Sequence, residues 1–496
     1  MPGKVLLIRP KNSYNYNNYP SLGLISIASV LKEKGYQVKI INCAFYSDYK
    51  EQIAAAIDDV DFVGITMLTA EVPDGYEILK LIKAKSDVVV VAGGWHCTLF
   101  PEQVMSSGLV DYVVTGEGEK HIAVIADAIS SKKELTTTIF PKEIIDLDTL
   151  SLVDYAIDSD IERFIGNSLT DKLVQQARMP MRWLPYDSSR GCPSLCTFCI
   201  NVVTGNTRYR KKNAKKVIDE IVQIVERFKL THLKIIDDNF FVDIVRARNI
   251  AKGIIEHKLD ITWDAECRCD YFNQRMLNDE TLQLLKQSGL IQLTVGVESG
   301  SEHTLNLMKK GITTDQADHA IKKCNEYGII GRASFILEIP GEDIKDIKQT
   351  VGFINRLRRY DKFTCGVGTF RPYPKCELTL KLIEEGVLVE PTKLSDWADK
   401  KNLDMYTSAE YIRPWQVNGV YSEAAALYIN MESEARLGNH QISRWNDRIT
   451  NNVFIFMAKI RNRIKWYGFP WEKRLYKKFL LNFYRKRQEM EKKTKT

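Results

Sequence analysis

The sequence lacks any apolar run long enough to cross a membrane, since no window approaches the roughly 18 residues that a spanning helix requires. It also lacks a signal-peptide pattern, because its first residues lead directly into a strand-like segment. Its ten cysteines do not follow the spacing of a secreted disulfide framework. These absences argue against a helical membrane protein and a secreted protein, so we expect a cytoplasmic protein.

Acidic residues are scarce at one end of the chain. Residues 451–496 hold 14 Lys and Arg but only 3 Glu, so this tail carries +11 although the whole chain carries +7. Segment 453–471 interleaves aromatic residues with Lys and Arg, as helices that lie on anionic membranes do. The composition leaves open a solvated or packed helix, a lipid substrate, and peripheral contact with the inner face of the membrane. RNA contact fits the same composition, but we expect no nucleic-acid partner.

Three of the ten cysteines, Cys192, Cys196 and Cys199, are closely spaced. The spacing C-x3-C-x2-C lets one short loop present three thiolates to a cluster of soft iron ions. A zinc site would need a fourth Cys or His at suitable spacing, and the neighbouring sequence offers none. Three ligands on a [4Fe-4S] cluster leave one iron open, and this iron can bind a small molecule.

Apolar strands alternate with amphipathic helices in the amino-terminal part of the chain, residues 1–135. Strands are predicted at 5–10, 37–43, 62–67, 88–94 and 112–117. Strands that are apolar almost throughout indicate a parallel sheet covered on both faces, with ligands beyond the carboxyl ends of the strands. The residues near those ends are Thr66, Thr69, Gly93, Gly94, Thr115, Gly116 and Glu117. The glycines are typical either of tight turns or of close ligand approach.

A second alternating region follows a predicted linker at residues 136–182. Within 183–386, strands are predicted at 183–190, 232–238, 262–267, 291–298, 329–339 and 363–372. Six parallel units indicate an incomplete barrel with its catalytic loops at the carboxyl ends of the strands. The three-cysteine loop follows the first of these strands. Residues 387–496 are expected to form a helical accessory region that ends in the basic tail.

These features resemble the radical S-adenosylmethionine (SAM) enzymes that carry a cobalamin (B12)-binding domain. The cysteine triad matches the cluster motif of the superfamily. The cobalamin-domain resemblance rests on Pro20-Ser-Leu-Gly-Leu24, Val63-Gly-Ile-Thr66, Ala92-Gly-Gly-Trp-His-Cys-Thr98 and Asp111-Tyr-Val-Val-Thr-Gly-Glu-Gly-Glu119. The resemblance implies an α/β protein with a Rossmann-like cobalamin domain, a partial (β/α)6 TIM-type barrel and a helical end. It also implies three cofactors, a [4Fe-4S] cluster, SAM and cobalamin, with the seven strand-end residues given above on the cobalamin.

One histidine could be mistaken for a cobalt ligand. The D-x-H-x-x-G motif, which supplies a histidine to cobalt in other cobalamin proteins, is absent from this sequence. Its absence is usual in the radical SAM branch. His96 lies in a Gly-Gly-Trp-His turn and fits a loop-packing role better than cobalt ligation.

The resemblance also assigns SAM-binding residues. Phe198, just before the last cluster cysteine, is similar to the family aromatic near the adenine. The segment Ile235-Ile-Asp-Asp-Asn-Phe-Phe241 resembles the D-D-x-F motif and makes Asp237 and Asp238 candidates for the methionine ammonium group or for the substrate. Adjacent side chains point in different directions from a strand end, so the two acids cannot share one role. An alternative role for one of them is to cap the following helix.

Two further motifs complete the expected SAM site. Trp263-Asp-Ala-Glu-Cys-Arg-Cys-Asp270 resembles W-x-A-x-x-R, and Arg268 can then pair with the methionine carboxylate. Val295-Gly-Val-Glu-Ser-Gly300 resembles G-x-E-S-G, which places Glu298 and Ser299 on the ribose hydroxyls or the methionine ammonium. The chain departs from the family at Glu338, which stands where glycine is usual. Cys267 and Cys269 are also unusual, and they fit packing better than ligation.

The resemblance implies a C-methyltransferase that acts on an unactivated carbon. One SAM would methylate cobalamin, and a second, cleaved at the cluster, would yield a 5′-deoxyadenosyl radical that removes a substrate hydrogen. The substrate radical would then take the methyl group from methylcobalamin. A radical cyclisation or rearrangement stays open, as does a cobalamin or iron–sulfur sensor without turnover. The expected partners are an electron donor such as flavodoxin or ferredoxin and a substrate that is a lipid, glycan, peptide or small natural product.

Overall fold

The fold is described from a computed structural model. It describes residues 3–14, 19–165, 181–408, 411, 413–436, 445–467, 470 and 475–476, with only the backbone for 445–450. Two six-stranded parallel sheets, each covered by helices, follow one another along the chain. This arrangement confirms the predicted α/β class, with a helical region after the second sheet.

The first sheet has the strand order β2-β1-β3-β4-β5-β6. Its strands are β1 (Lys4–Arg9), β2 (Gln37–Asn42), β3 (Phe62–Thr66), β4 (Val89–Gly93), β5 (Tyr112–Val114) and β6 (Ile139–Phe140). Buried aliphatic side chains on both faces of the central strands hold helices on both sides, as a parallel sheet requires. The strand order reverses between β1 and β3, and ligands of doubly wound sheets bind beyond the carboxyl ends at such a point.

The five amino-terminal strands lie where the sequence predicts them, and β6 is an addition. It comes from the segment interpreted as a linker and pairs in parallel with β5. Two residues are too few to show a strand period, so the sequence pattern could not reveal it. The helices of this part of the chain are α1 (Leu22–Glu33), α2 (Tyr49–Ala56), α3 (Val72–Lys85), α4 (Trp95–Leu99), α5 (Pro101–Met105), α6 (Glu119–Ser130) and α7 (Ile161–Phe164).

The second sheet has the order β14-β13-β12-β11-β10-β7, with all neighbours parallel. Its strands are β7 (Trp183–Tyr186), β10 (His232–Ile235), β11 (Thr262–Arg268), β12 (Leu290–Glu298), β13 (Ile330–Leu337) and β14 (Phe363–Thr369). They lie at the six predicted positions. A small antiparallel pair, β8 (Ser189–Arg190) and β9 (Arg210–Lys211), brackets the cysteine loop. Within the described ranges, β7 and β14 do not pair with each other, so this barrel is open on one side.

Helices fill the connections between the barrel strands and continue into the carboxyl-terminal region. The barrel helices are α8 (Ile200–Val203), α9 (Ala214–Phe228), α10 (Ile244–Glu256), α11 (Asp279–Gln287), α12 (Glu302–Leu307), α13 (Thr314–Glu326), α14 (Ile344–Leu357) and α15 (Glu377–Glu384). The helices after the barrel are α16 (Leu394–Ala398), α17 (Lys400–Thr407), α18 (Gly419–Arg436) and α19 (Trp445–Ile464). Among the described residues, none of these helices is both long and apolar enough to span a bilayer.

The carboxyl-terminal helices hold the two sheets together. Helix α18 lies along the edge strand β14, where Asn430 Oδ1 accepts from Val367 N at 2.8 Å and Ser433 Oγ accepts from Cys365 N at 2.7 Å. Side chains thus satisfy backbone donors that an open barrel edge would leave unpaired. On the other side, Trp397 of α16 is buried and donates to Gln103 Oε1 of the amino-terminal domain at 3.0 Å.

Candidate active site

The three-cysteine loop runs from β8 to the start of α8, at the carboxyl end of the first barrel strand. Cys196 is buried, and Cys192 and Cys199 are half-buried. Cys192 N donates to Asn206 O at 3.0 Å and Cys199 N donates to Cys196 O at 3.1 Å, which folds the loop back on itself. Gly191 enters the loop at φ +91°, where a Cβ atom would lie 2.5 Å from Arg208 O. Only glycine fits this turn.

Burial dominates the titration of this loop and raises the pKa of both Cys196 and Cys199. The nearby cations Lys310 and Arg268 oppose this effect on the pKa of Cys196. Asn239 Nδ2 donates to Cys192 Sγ at 3.5 Å. In the described part of the chain, no three His, Cys, Asp or Glu side chains lie close enough to hold a single metal ion. One short loop carries all three cysteines, and such a loop can present each thiolate to a different iron of one cluster.

A buried ion pair lies beside the cysteine loop. Lys310 Nζ donates to Glu298 Oε1 at 2.9 Å, and both side chains are buried. Arg268 donates to Lys310 O at 2.9 Å and to Asp270 Oδ1 at 2.9 Å, so its guanidinium is held in the same group. The ring centroid of Phe198 lies 6.0 Å from Lys310 Nζ. The structure therefore brings Phe198, Arg268 and Glu298 together.

Lys310 was not predicted from the sequence. It follows the short helix α12 in a Met-Lys-Lys-Gly turn, where lysines are ordinarily exposed. Opposite charges raise its pKa against the effect of burial, chiefly through Glu298 and then Cys196. The one available signal was the buried Glu298 itself, since a carboxylate in an apolar strand needs a partner.

The adjacent carboxylates Asp237 and Asp238 diverge. Asp237 is fully buried and accepts hydrogen bonds from Ser188 N and Ser188 Oγ, both at 2.6 Å, and from Ser189 Oγ. It therefore braces the turn after the first barrel strand. Asp238 is exposed, accepts from Gly191 N at 2.8 Å and faces the space above the barrel.

Ser299 directly follows Glu298 at the end of β12. Its side chain is fully buried, and its Oγ lies 2.8 Å from Thr350 Oγ1 and accepts from Ser301 N at 3.1 Å. Its physical role is to fasten helix α14 to the end of β12. Cys267 and Cys269 are buried as well, and burial raises the pKa of each thiol, as expected of packing residues.

A cavity of about 440 Å³ lies between the two sheets, and we refer to it as the interdomain cavity. The amino-terminal sheet contributes five of the predicted cobalamin residues, namely Thr66, Gly93, Gly94, Gly116 and Glu117. The barrel contributes Asp187, Ser189, Arg190, Ile236 and Asp238. The carboxyl ends of both sheets thus line one space.

Two predicted cobalamin residues lie outside the cavity lining. Thr115 is buried and donates to Phe140 O at 2.8 Å, which fixes the added strand β6. Thr69 Oγ1 lies 3.3 Å from His96 Nδ1. His96 itself is fully buried against Phe100 and Trp397, and burial lowers its pKa to about 3. It is a neutral packing residue and does not line the interdomain cavity.

The glycines give the interdomain cavity a smooth wall. A Cβ atom on Gly94, which has φ +95°, would lie 2.7 Å from Thr66 Oγ1 and 2.9 Å from Met67 O. A Cβ atom on Gly93 would meet no heavy atom closer than 3.7 Å, so its bare backbone borders open space. A wall of this kind accommodates the close approach of a large flat ring, and the cavity residues therefore fit cobalamin.

Ion pairs close one side of the interdomain cavity and join the two domains. Arg210 makes two hydrogen bonds of 2.7 Å to the carboxylate of Glu117, and Arg190 Nη2 lies 2.9 Å from Glu119 Oε1. Burial disfavours the charge of Arg190, but its pKa is nevertheless raised by the neighbouring carboxylates of Glu119, Asp187 and Glu117. Sequence reasoning missed both arginines, although Arg190 lies only two residues before Cys192.

A second cavity, of about 220 Å³, lies inside the barrel and is here termed the barrel cavity. Its wall includes Asp264, Glu266, Gln292 and Arg332. Gln292 is buried, and its Oε1 accepts no hydrogen bond from any group in the described ranges. The barrel interior is therefore polar and retains hydrogen-bonding capacity for a bound molecule.

Comparison with known families accounts for both sheets. A radical SAM superfamily model matches residues 186–354, and a B12-binding domain model matches residues 14–126. Residues 186–354 thus form a radical SAM domain, and residues 14–126 form a B12-binding domain. The cofactors of this chain are a [4Fe-4S] cluster, SAM and cobalamin.

Individual relatives are more distant. An uncharacterized methyltransferase of Pyrococcus horikoshii is 27% identical over 445 residues, which cover 85% of this chain and 91% of that protein. The anaerobic magnesium-protoporphyrin IX monomethyl ester cyclase of Rubrivivax gelatinosus is 24% identical over 76% of this chain and 70% of its own length. The solved radical SAM methyltransferase TsrM of Kitasatospora setae shares the fold with a TM-score of 0.66, 18% identity and coverage of 79% and 76%.

Proposed function

We propose that this radical SAM enzyme is a cobalamin-dependent methyltransferase that acts on an unactivated carbon of its substrate. The observation that carries the proposal is the interdomain cavity, because Gly93 and Gly116 of one sheet and Ile236 and Asp238 of the other line the same space. Direct transfer of a group requires donor and acceptor within contact distance. A cavity that opens to both domains supplies this proximity.

When bound, the cluster and SAM supply a radical that removes a hydrogen atom, and cobalamin supplies a methyl group. The chain's residues hold and orient these groups. Cys192, Cys196 and Cys199 would hold the cluster. Arg268 and the Lys310–Glu298 pair would fix the methionine and ribose ends of SAM, with Phe198 beside its adenine. On the cobalamin side the residues are Thr66, Gly93, Gly94, Gly116 and Glu117.

The barrel cavity is the proposed place for part of the substrate. It lies below the SAM residues, since Glu266 precedes Arg268 by two positions on the same face of β11. The substrate class stays open among lipid, glycan, peptide and small natural product. The electron that starts the reaction would come from a donor such as flavodoxin or ferredoxin.

A radical cyclisation is the second candidate, and the relative named as a cyclase in Rubrivivax gelatinosus supports it. The two candidates consume SAM differently. Methyl transfer uses one SAM as methyl source and one as radical source, so it yields both S-adenosylhomocysteine and 5′-deoxyadenosine. Cyclisation without methyl transfer yields 5′-deoxyadenosine alone.

The decisive experiment is anaerobic reconstitution with iron, sulfide and cobalamin, followed by mass spectrometry of the SAM products under reduction. We expect both products from the wild type and neither the cluster absorbance nor 5′-deoxyadenosine from Cys196→Ala. Cys324→Ala is the matched control, because this buried thiol lies in α13 outside the site. Persistent absence of S-adenosylhomocysteine would favour cyclisation. No SAM cleavage despite an intact cluster would favour a sensor.

A further inference from the structure

Helix α19 carries a row of exposed apolar side chains. Val453, Phe456, Ile460 and Ile464 are 52%, 64%, 43% and 59% exposed. Their spacing of three and four residues places them on one face of the helix. Single exposed apolar residues are common on proteins, but a continuous row over three helical turns marks an interaction surface.

The opposite face of α19 is fixed to the body of the protein. Ile455 and Ala458 are buried, and α19 packs along α18. Asn462 Nδ2 donates to Tyr428 O at 3.0 Å and to Glu432 Oε2 at 2.8 Å, which sets the rotation of the helix. The apolar row therefore points outward because the helix is anchored on its other side.

Cations and an indole border the apolar row. Lys459, Arg463 and Lys465 are exposed. Trp466 is 51% exposed at the end of the helix, and Arg461 holds it by stacking at 4.6 Å and by donating to Trp466 O at 3.0 Å. An indole at the boundary between apolar and charged groups suits the interface of a bilayer, where one end of the ring is wet and the other is apolar.

We propose that this face of α19 is a docking surface for an anionic lipid bilayer. The charge of this part of the chain favours an anionic bilayer over other partners. Residues 451–496 contain 14 Lys and Arg but only 3 Glu, and this positive charge is attracted to anionic lipid headgroups. Stable interfacial binding needs apolar insertion combined with electrostatic attraction, and this face presents both. The helix lies in the membrane plane and does not cross it. Docking through α19 is independent of the reaction that the enzyme catalyses.

The test uses the full chain in co-sedimentation with phosphatidylcholine vesicles, with and without phosphatidylglycerol. We expect binding to the anionic vesicles and its loss at high salt. Phe456→Asp combined with Ile460→Asp should weaken binding by about tenfold or more, because it places two charges in the inserted face. Val245→Asp is the matched control, since Val245 is 63% exposed on α10 and lies outside the surface.

Three results would overturn the proposal. The first is equal or absent wild-type binding to neutral and anionic vesicles. The second is unchanged binding of the double variant, which would assign any membrane affinity to the tail beyond α19. The third is a wild-type dimer that the double variant converts to a monomer, because the face would then be covered by a second copy. Circular dichroism and unchanged reductive SAM cleavage verify that the variants are folded.

Discussion

At the scale of single residues, Lys310 is the most consequential group beside the cysteine loop. Its ammonium lies 2.9 Å from Glu298 Oε1, and both residues are less than a tenth exposed. A buried pair of this kind contributes little net stability compared with an apolar pair, but removal of one partner leaves an uncompensated charge. Lys310 therefore acts as a positioning residue that keeps Glu298 in place beside the predicted SAM site.

Lys310→Met should destabilise the protein by about 3–5 kcal/mol, because it leaves the Glu298 carboxylate buried without its counter-charge. The double variant Lys310→Met with Glu298→Gln should recover most of that loss. Anaerobic urea denaturation of both variants measures the difference. If the single variant loses less than about 1 kcal/mol, the pair is solvated and this account fails.

Glu342 should make stability depend on pH. Burial raises its pKa from 4.5 to about 7, and Ile339 N and Thr304 Oγ1 donate to it. The folded state thus keeps a proton that the unfolded chain releases, so wild-type stability falls as pH rises from 4.5 to about 7. The loss is at most about 3 kcal/mol.

The variant Glu342→Gln removes this titration, because its amide oxygen can accept from Ile339 N while its NH2 group donates to the Thr304 hydroxyl, with no charge. It should therefore be more stable than the wild type above pH 7 and nearly equal to it near pH 4.5. Thermal unfolding at several pH values measures this difference. A constant difference across the range would show that Glu342 does not titrate in this window.

Residue types and their spacing predicted part of the site. The C-x3-C-x2-C spacing identified the cluster loop, and the strand-end motifs identified Arg268 and Glu298, which the structure places beside that loop. Sequence reasoning could not separate Asp237 from Asp238, since only the fold shows that serines occupy the first carboxylate. The ligand roles of Thr69, Thr115 and Ser299 stay predictions, and in the structure their hydroxyls lie within hydrogen-bond distance of His96, Phe140 O and Thr350 respectively.

At the scale of secondary-structure elements, α18 seals the open edge of the barrel. Asn430 both accepts from Val367 N and donates to Val367 O, so one amide replaces a missing strand at that point. Glu338 fixes the start of the same helix, since its carboxylate accepts from Val417 N at 2.7 Å and Ser422 Oγ at 2.6 Å. Asn430 and Ser433, which close the edge, belong to no family motif.

Asn430→Ala should unpair the Val367 amide and carbonyl and destabilise the protein by about 1–3 kcal/mol. Hydrogen exchange of the β14 peptides should accelerate, because their edge becomes accessible. Asn402→Ala, which removes one hydrogen bond in α17, is the matched control and should leave β14 exchange unchanged. Unchanged exchange in Asn430→Ala would mean that α18 does not protect this edge.

Strand positions were predictable because buried parallel strands form nearly continuous apolar runs, which differ from the amphipathic helices between them. The exceptions have local causes. Strand β6 has too few residues to show the period of a strand in the sequence. The role of Glu338 could not be predicted because it depends on the backbone conformation at this position. Its φ of +62° lies in the left-handed region that favours glycine, which explains why glycine is usual there. In this chain the carboxylate accepts hydrogen bonds at the start of α18. Sequence reasoning could not assign this helix to the barrel edge.

At the scale of the whole molecule, the two domains are joined across the interdomain cavity by arginines of the barrel and glutamates of the B12-binding domain. Arg190 contacts Glu117, Glu119 and Asp187, and Glu119 is itself buried and accepts from Ser26. These ion pairs lie in the wall of the interdomain cavity. They therefore hold the two domains in contact and also set the distance between the carboxyl ends of the two sheets. The geometry of the proposed methyl transfer depends on this spacing.

Arg190→Met should therefore weaken cobalamin retention while leaving the cluster loop able to hold iron. Loss of the guanidinium leaves Glu119 buried without its partner, and the cavity wall must rearrange to solvate it. We expect at least about a tenfold loss of cobalamin affinity, equivalent to about 1.4 kcal/mol. Absorbance of cobalamin after gel filtration and iron per chain measure the two effects separately.

Arg227→Met, which removes the exposed ion pair with Asp154, is the control and should change neither. Equal loss of iron and cobalamin in Arg190→Met would instead indicate general unfolding, and full retention of both would show that the ionic wall does not shape the cavity.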